Sequence, residues 1–139
     1  MISCNTADKE IKKEVEIIKT EVSEKDGMFL HVSSNDPHRV LMALRMAELM
    51  AEDHDVMIYF DIRGIEVVLK DAPDLTYAQF SNSHAQLIKL AEMGIPLQAC
   101  PGCLEAAGKT ADDLTNGVTV ADKEKFFSFT KGRILTLDY

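Results

Sequence analysis

Cys100 and Cys103 stand two residues apart, separated by Pro101 and Gly102. The run from Ile95 to Gly108 reads as a short buried strand passing directly into a helix. Pro101 suits the first helical position, where a missing N–H leaves nothing unpaired. Gly108 suits the residue just past the last turn. One sulfur therefore falls at a strand-to-helix junction and the other in the first turn. The unpaired N–H groups of a helix start favour a thiolate over a thiol, and the thiolate is the nucleophile. The chemistry open to such a turn is attack on a sulfane sulfur and its carriage as a persulfide. The second thiol then attacks that persulfide, releasing sulfide and leaving a disulfide, or accepts the sulfur in relay.

Other readings of the pair stay open at this point. Thioredoxin-like enzymes also place two cysteines at a helix start, but after the first strand and with a Pro-preceded strand well downstream. Here the pair lies late and no proline follows Pro101. Structural zinc needs four ligands, and no second Cys or His pair lies nearby. The two residues could also simply pack as small side chains beneath a turn. Cys4, near the N-terminus, has no visible partner.

The elements that position the turn follow from periodicity and punctuation. Residues 8–25 carry Ile11, Val15, Ile18 and Val22 at helical spacing among Lys and Glu, which predicts an amphipathic surface helix. The chain divides into an N-terminal helical extension, residues 1–26, and an α/β domain, residues 27–139. Strands are predicted at 28–33, 55–61, 95–99, 118–120 and 133–137. Asp36 and Pro37 supply an N-cap and a first helical residue, and the helix they open runs to about Ala51 through Val40, Leu44, Ala47 and Leu49. A short helix covers roughly 62–70. Residues 71–81, with Pro73 and the isolated Tyr77 and Phe80, read as a loop or cover. Ser83 to Gln86 has a capping-box pattern opening a helix that ends at Gly94. Thr110 starts a short helical segment, Asn116 and Gly117 mark a turn, and a helix over 122–130 sets Phe126 and Phe129 on one face.

Strands alternating with helices give an α/β layer sandwich with a mostly parallel five-stranded sheet. Ligands in such folds sit beyond the C-terminal ends of the strands, and the cysteine turn projects from that edge. Two more loops do so as well. The first contributes Ser34, Asn35 and His38, and the second Asp61 and Arg63. Ser34, Asn35, His38 and Arg63 are the candidate substrate-binding residues. Arg63 and Asp61 could orient a ligand or form an ordinary ion pair. The His38 ring could reach the site or face solvent. His31, inside the first strand, reads as a satisfied interior or edge histidine. Met42, Met46 and Met50 read as core filler.

The 139 residues, 46% hydrophobic, suffice for one domain with a real core. No apolar run approaches the roughly 20 residues that span a bilayer. A net charge of −8, no Trp and no basic stripe speak against nucleic acid as a partner. The N-terminal residues match neither a signal nor a transit peptide, so the expected location is the cytoplasm, where the cysteines stay reduced. No metal, nucleotide or flavin is expected. The first loop lacks a Gly-rich phosphate cradle, for which Ser33, Ser34 and Asn35 are a weak substitute.

From about Met28 to Tyr139 the chain resembles the DsrE/DsrF-like family of small sulfur-transfer proteins. The resemblance is carried by His31 to Pro37, by Val56 to Leu69 with its Gly64 turn, and by Cys100 trailed by Ala106, Ala107 and Gly108. It implies a flavodoxin-like three-layer sandwich, to which the N-terminal helix is an addition. It also implies assembly into a homotrimer or homohexamer, and a place in sulfur relay such as tRNA thiolation or dissimilatory sulfur metabolism. In that reading Cys100 is the carrier nucleophile and Cys103 a resolving or relay thiol. Partners are sulfur donor and acceptor proteins or small sulfane-sulfur compounds. The competing classes are a non-catalytic oligomeric interaction or redox-sensing protein, and a dithiol oxidoreductase.

Overall fold

The computed structural model describes residues 24–139. The helix expected over 8–25 therefore falls almost wholly outside the described residues, as does Cys4. Five strands, β1 (Gly27–Val32), β2 (Asp55–Phe60), β3 (Leu97–Ala99), β4 (Val118–Val120) and β5 (Ile134–Asp138), form one sheet in the order β4-β3-β2-β1-β5. Every pairing is parallel. The chain thus advances in one direction from β1 to β4, then returns across the sheet to lay β5 beside β1.

Right-handed crossovers place helices on one face during the advance and on the other during the return. The advance carries α1 (Pro37–Met50) and α2 (Ser83–Glu92), and the return carries α4 (Lys123–Ser128). Strand side chains alternate between faces. Leu30, Val32, Ile58, Phe60, Leu97 and Ala99 lie on one face and are almost wholly buried with Val40, Leu44, Leu87 and Leu90 of the two long helices. Full burial of a Leu, Ile or Phe contributes about 1.5–3 kcal/mol, so this layer is the main source of stability. The opposite face carries Phe29 and Tyr59, which meet the Phe126 ring of α4 at centroid distances of 5.0 and 5.5 Å. The Phe126 face of α4 is thus covered within this chain, and Phe127 is the exposed ring.

Several boundaries differ from the sequence expectation for physical reasons. Asp36 caps α1 as expected, its side chain accepting from Arg39 N. The cap of α2 is Asn82, not Ser83, its side chain accepting from Ala85 N. Ser83 is instead fully buried, and its hydroxyl receives the Leu75 N–H and reaches Asp74. Gln86 turns back to the Ser81 carbonyl. Leu49 is 44% exposed on the outer side of α1 and is no part of the core. Residues 62–70 do not make an α-helix. They hold a 3-10 helix, Ile62–Val67, because the chain there is pressed against the end of β1.

That contact is tight. A Cβ on Gly64 would stand 1.9 Å from the Val32 carbonyl oxygen, which also receives the Asp61 N–H at 3.1 Å. Gly64→Ala must force the turn away from β1. The expected result is a loss of about 3 kcal/mol in unfolding free energy, read by urea titration.

Candidate active site

The cysteine turn begins where β3 ends. Cys100 N donates to the Phe60 carbonyl at 2.8 Å, which extends the β2–β3 ladder by one rung. Cys100 is also the N-cap of α3 (Pro101–Ala106), with Pro101 in the first helical position. Its carbonyl receives the Leu104 N–H, and buried Leu104 anchors the short helix in the core. Gly108, at φ +66°, closes the helix in the left-handed conformation that favours glycine. Strand alternation puts Cys100 on the same side as Gln98 and opposite Ala99. Tyr59 is the β2 register partner of Gln98, so its ring points to that side too, and its hydroxyl comes close enough to the Cys100 sulfur to favour the charged form.

Burial pushes the Cys100 thiol up. The Tyr59 hydroxyl, the N–H groups of Cys103 and Gly102 and the Cys103 thiol outweigh that and hold it below its ordinary range. The Cys103 N–H lies 3.4 Å from the Cys100 sulfur. For Cys103 the balance runs the other way. The Ile62 N–H pulls its thiol down, but burial, the Cys100 sulfur and the Asp61 charge together push it up. Burial, then the Cys100 sulfur, also holds the Tyr59 phenol far above its usual range. Of the two thiols Cys100 is thus the more readily ionised, with Cys103 and Tyr59 as proton-bearing neighbours.

Ile62 is a third member that periodicity alone does not reveal. Its N–H donates to the Cys103 sulfur at 3.1 Å. To do so it adopts φ +48°, a conformation that costs a β-branched residue about 1–3 kcal/mol. Its side chain is 64% exposed beside the sulfur pair.

A row of polar side chains crosses the sheet just below this turn. Register pairs Thr119 with Gln98, Gln98 with Tyr59, Tyr59 with His31 and His31 with Asp138. His31 reads from the sequence as a satisfied edge histidine, and both its ring nitrogens are indeed engaged. Nε2 lies 2.8 Å from Asp61 Oδ2 and Nδ1 lies 2.9 Å from Asp138 Oδ1.

The candidate binding residues are distributed around the turn. Asn35 Nδ2 donates to Glu66 Oε2 at 2.7 Å, and Arg63 Nε lies 3.3 Å from Glu66 Oε1. Glu66 thus ties the loop after β1 to the 3-10 helix after β2. Ser34 Oγ receives the Asp36 N–H within its own turn. His38 stacks on Tyr77 with ring centroids 4.2 Å apart, against the 71–81 loop. The structure therefore brings Asn35 and Arg63 together and places His38 in a separate aromatic cluster. Among the described residues no group of three His, Cys, Asp or Glu side chains is arranged to hold a metal ion. No helix among them is long and apolar enough to cross a membrane.

With this geometry in place, comparison with known proteins gives a consistent result. The model of the DsrE/DsrF-like family matches residues 28–131. No curated protein matches the sequence. Among solved structures, the ychN protein of E. coli superposes with a TM-score of 0.61 at 17% identity, covering 82% of this chain and 99% of its own. The Methanobacterium thermoautotrophicum protein MTH1491, of unknown function, gives 0.58 at 22% identity, covering 80% and 98%. At these identities the two share the fold.

The Tyr59 hydroxyl can be tested apart from its ring. Tyr59→Phe leaves the packing against Phe126 and removes one donor to a charged sulfur. Alkylation of Cys100 at neutral pH should slow by about fivefold, since one hydrogen bond at a partly exposed site contributes about 1 kcal/mol. Rates assigned to each cysteine by peptide mass check this.

Proposed function

The chain belongs to the DsrE/DsrF-like family, associated with sulfur relay between partner proteins, and from that premise we propose that it carries sulfane sulfur as a persulfide on Cys100, with Cys103 as the resolving or relay thiol. The observation that supports this reading most is the set of donors around one sulfur: the Tyr59 hydroxyl and the N–H groups of Gly102 and Cys103 all face Cys100. These three donors favour the thiolate, the form that attacks a sulfane sulfur.

In the loading step the Cys100 thiolate attacks the outer sulfur of a donor persulfide. A Cys100 sulfur–sulfur bond forms, the donor's own sulfur–sulfur bond breaks, and the donor leaves as a thiolate with the electron pair. Two exits follow. An acceptor thiolate, from a partner or from Cys103, attacks the outer sulfur and Cys100 leaves as thiolate. Alternatively Cys103 gives up its proton and attacks the inner sulfur, hydrosulfide leaves, and a Cys100–Cys103 disulfide remains. In that second exit the sulfane sulfur is reduced to sulfide while two thiols are oxidised, and an external dithiol must restore them. The raised Cys103 thiol suits the later role, because it stays protonated while Cys100 reacts.

The donors and acceptors in this reading are proteins or small sulfane-sulfur compounds, and the setting is the reducing cytoplasm. Ser34, Asn35, His38 and Arg63 remain the proposed binding residues, on the segments that follow β1 and β2. The assembly we infer from the family is a homotrimer or homohexamer, with residues 1–26 as an extension of the α/β domain.

Incubation with glutathione persulfide should add the mass of one sulfur atom to the intact protein, mapped to Cys100. Cys100→Ser should abolish loading. Cys103→Ser should load normally and form no internal disulfide. Loading that survives Cys100→Ser but vanishes in Cys103→Ser reverses the roles. A wild-type protein whose Cys100 alkylates readily yet takes up no sulfur belongs to the redox-sensing or dithiol oxidoreductase class instead.

A further inference from the structure

Asp61 occupies the N-cap position of the 3-10 helix Ile62–Val67, yet its side chain makes no cap hydrogen bond. An Asp in that place ordinarily accepts from the first turn. Here the carboxylate is turned instead toward β1, where Oδ2 meets His31 Nε2 at 2.8 Å. The other oxygen, Oδ1, is buried with no partner. A carboxylate held so, largely out of water, needs a counter-charge.

His31 is built to supply it. Its second nitrogen lies 2.9 Å from Asp138 Oδ1. Carboxylates only accept, so the form of the ring that satisfies both at once is the imidazolium, with both nitrogens donating. Burial works against the charge, but hydrogen bonds from the ring to Asp61 and Asp138 outweigh it and raise the His31 pKa above its ordinary value. The groups facing the ring are Asp61, Asp138 and the Tyr59 and Phe29 rings. The residue after Asp61 is Ile62, the strained residue whose N–H holds the Cys103 sulfur. A continuous series of contacts thus runs from Asp138 through His31 and Asp61 to Ile62 and Cys103.

We propose that His31 is a positioning residue for the second thiol: by gripping Asp61 it holds Ile62 in its left-handed conformation and keeps the Ile62 N–H on the Cys103 sulfur. The inference deepens the sulfur-carrier reading and rests on it for the purpose of the device, which is to park Cys103 beside Cys100 until a sulfur arrives. Loss of the grip lets Ile62 relax, withdraws its N–H and leaves Cys103 with the influences that push its thiol up. Cys100 keeps its own donors: the Gly102 and Cys103 N–H groups lie within its own turn, and the Tyr59 ring, though it loses a neighbour in His31, stays packed between Phe29 and Phe126.

The test follows iodoacetamide alkylation of each cysteine, assigned by peptide mass, across the pH range in which thiols ionise. The full-length wild type is compared with His31→Ala, His31→Gln and Asp138→Asn. In His31→Ala the Cys103 profile should move to higher pH, so that its rate below the midpoint falls by about threefold or more, while that of Cys100 changes less than about twofold. His31→Gln, which keeps one donor, should recover part of the shift. Asp138→Asn alters an exposed carboxylate and tests the same series if His31→Ala does not fold. It should shift Cys103 in the same direction by less. A Cys103 profile unmoved in Asp138→Asn and in the His31 variants that fold overturns the proposal. So does an equal fall at both cysteines, which marks a merely structural histidine. If the wild type takes up no sulfur from glutathione persulfide, the carrier reading fails, while the Cys103 profiles still decide the positioning role.

Discussion

One hydrogen bond sets the geometry of this molecule's chemistry: Cys100 N to the Phe60 carbonyl, 2.8 Å, at the last rung between β2 and β3. It carries the β2–β3 register one residue past the end of the strand. With that register fixed, alternation aims Cys100 at the Tyr59 side of the sheet and leaves Ala99 in the core. A slip of one residue would exchange the two, burying the thiol among Phe60 and Leu104 and presenting a methyl group to the edge. The donors that hold the thiolate contribute only if this rung is in place. The rung in turn rests on the apolar layer of Leu30, Ile58, Phe60 and Leu97 beneath α1 and α2.

The two cysteines are chemically unequal although they share a turn. Cys100 faces donors from three directions and settles toward the thiolate. Cys103 faces a thiolate and a carboxylate and keeps its proton, despite an N–H from Ile62. The asymmetry comes from position in the turn, since the N-cap residue looks out at free N–H groups while a residue one turn later looks back at the cap. Such separation by environment is the usual way a protein gives two like groups different roles.

Much of this was legible in the sequence, and what was not has a common cause. Apolar runs marked the strands, Asp36 with Pro37 marked a helix entry, and Cys100 with Pro101 and Gly108 marked the turn, because each is a local signal. The α2 cap differs from the expectation because Asn82 and Ser83 are equally good caps. The choice was made by the distant loop that needs the Ser83 hydroxyl for Leu75 and Asp74. The 3-10 helix after β2 is not a local signal, because its tightness comes from Val32 pressing on Gly64. Tyr59 and Ile62 as partners of the cysteines, and Asp138 as partner of His31, depend on strand order and register. One sequence shows the strands but not which neighbours they take.

The return of the chain to lay β5 on β1 has a consequence for how the molecule breathes. His31 and Asp138 are 107 residues apart, and β5 is an edge strand whose residues are mostly exposed, whereas β2 and β3 are buried in the middle. In native-state amide exchange, strands of these two kinds open with very different free energies. By that rule the β5 edge opens at a lower free energy than β2 and β3. When it lifts, His31 loses one of its two carboxylates, and Cys100 keeps every donor it has. The nucleophile therefore sits on the central strands, while the far end of the contacts to Cys103 sits on an exposed edge.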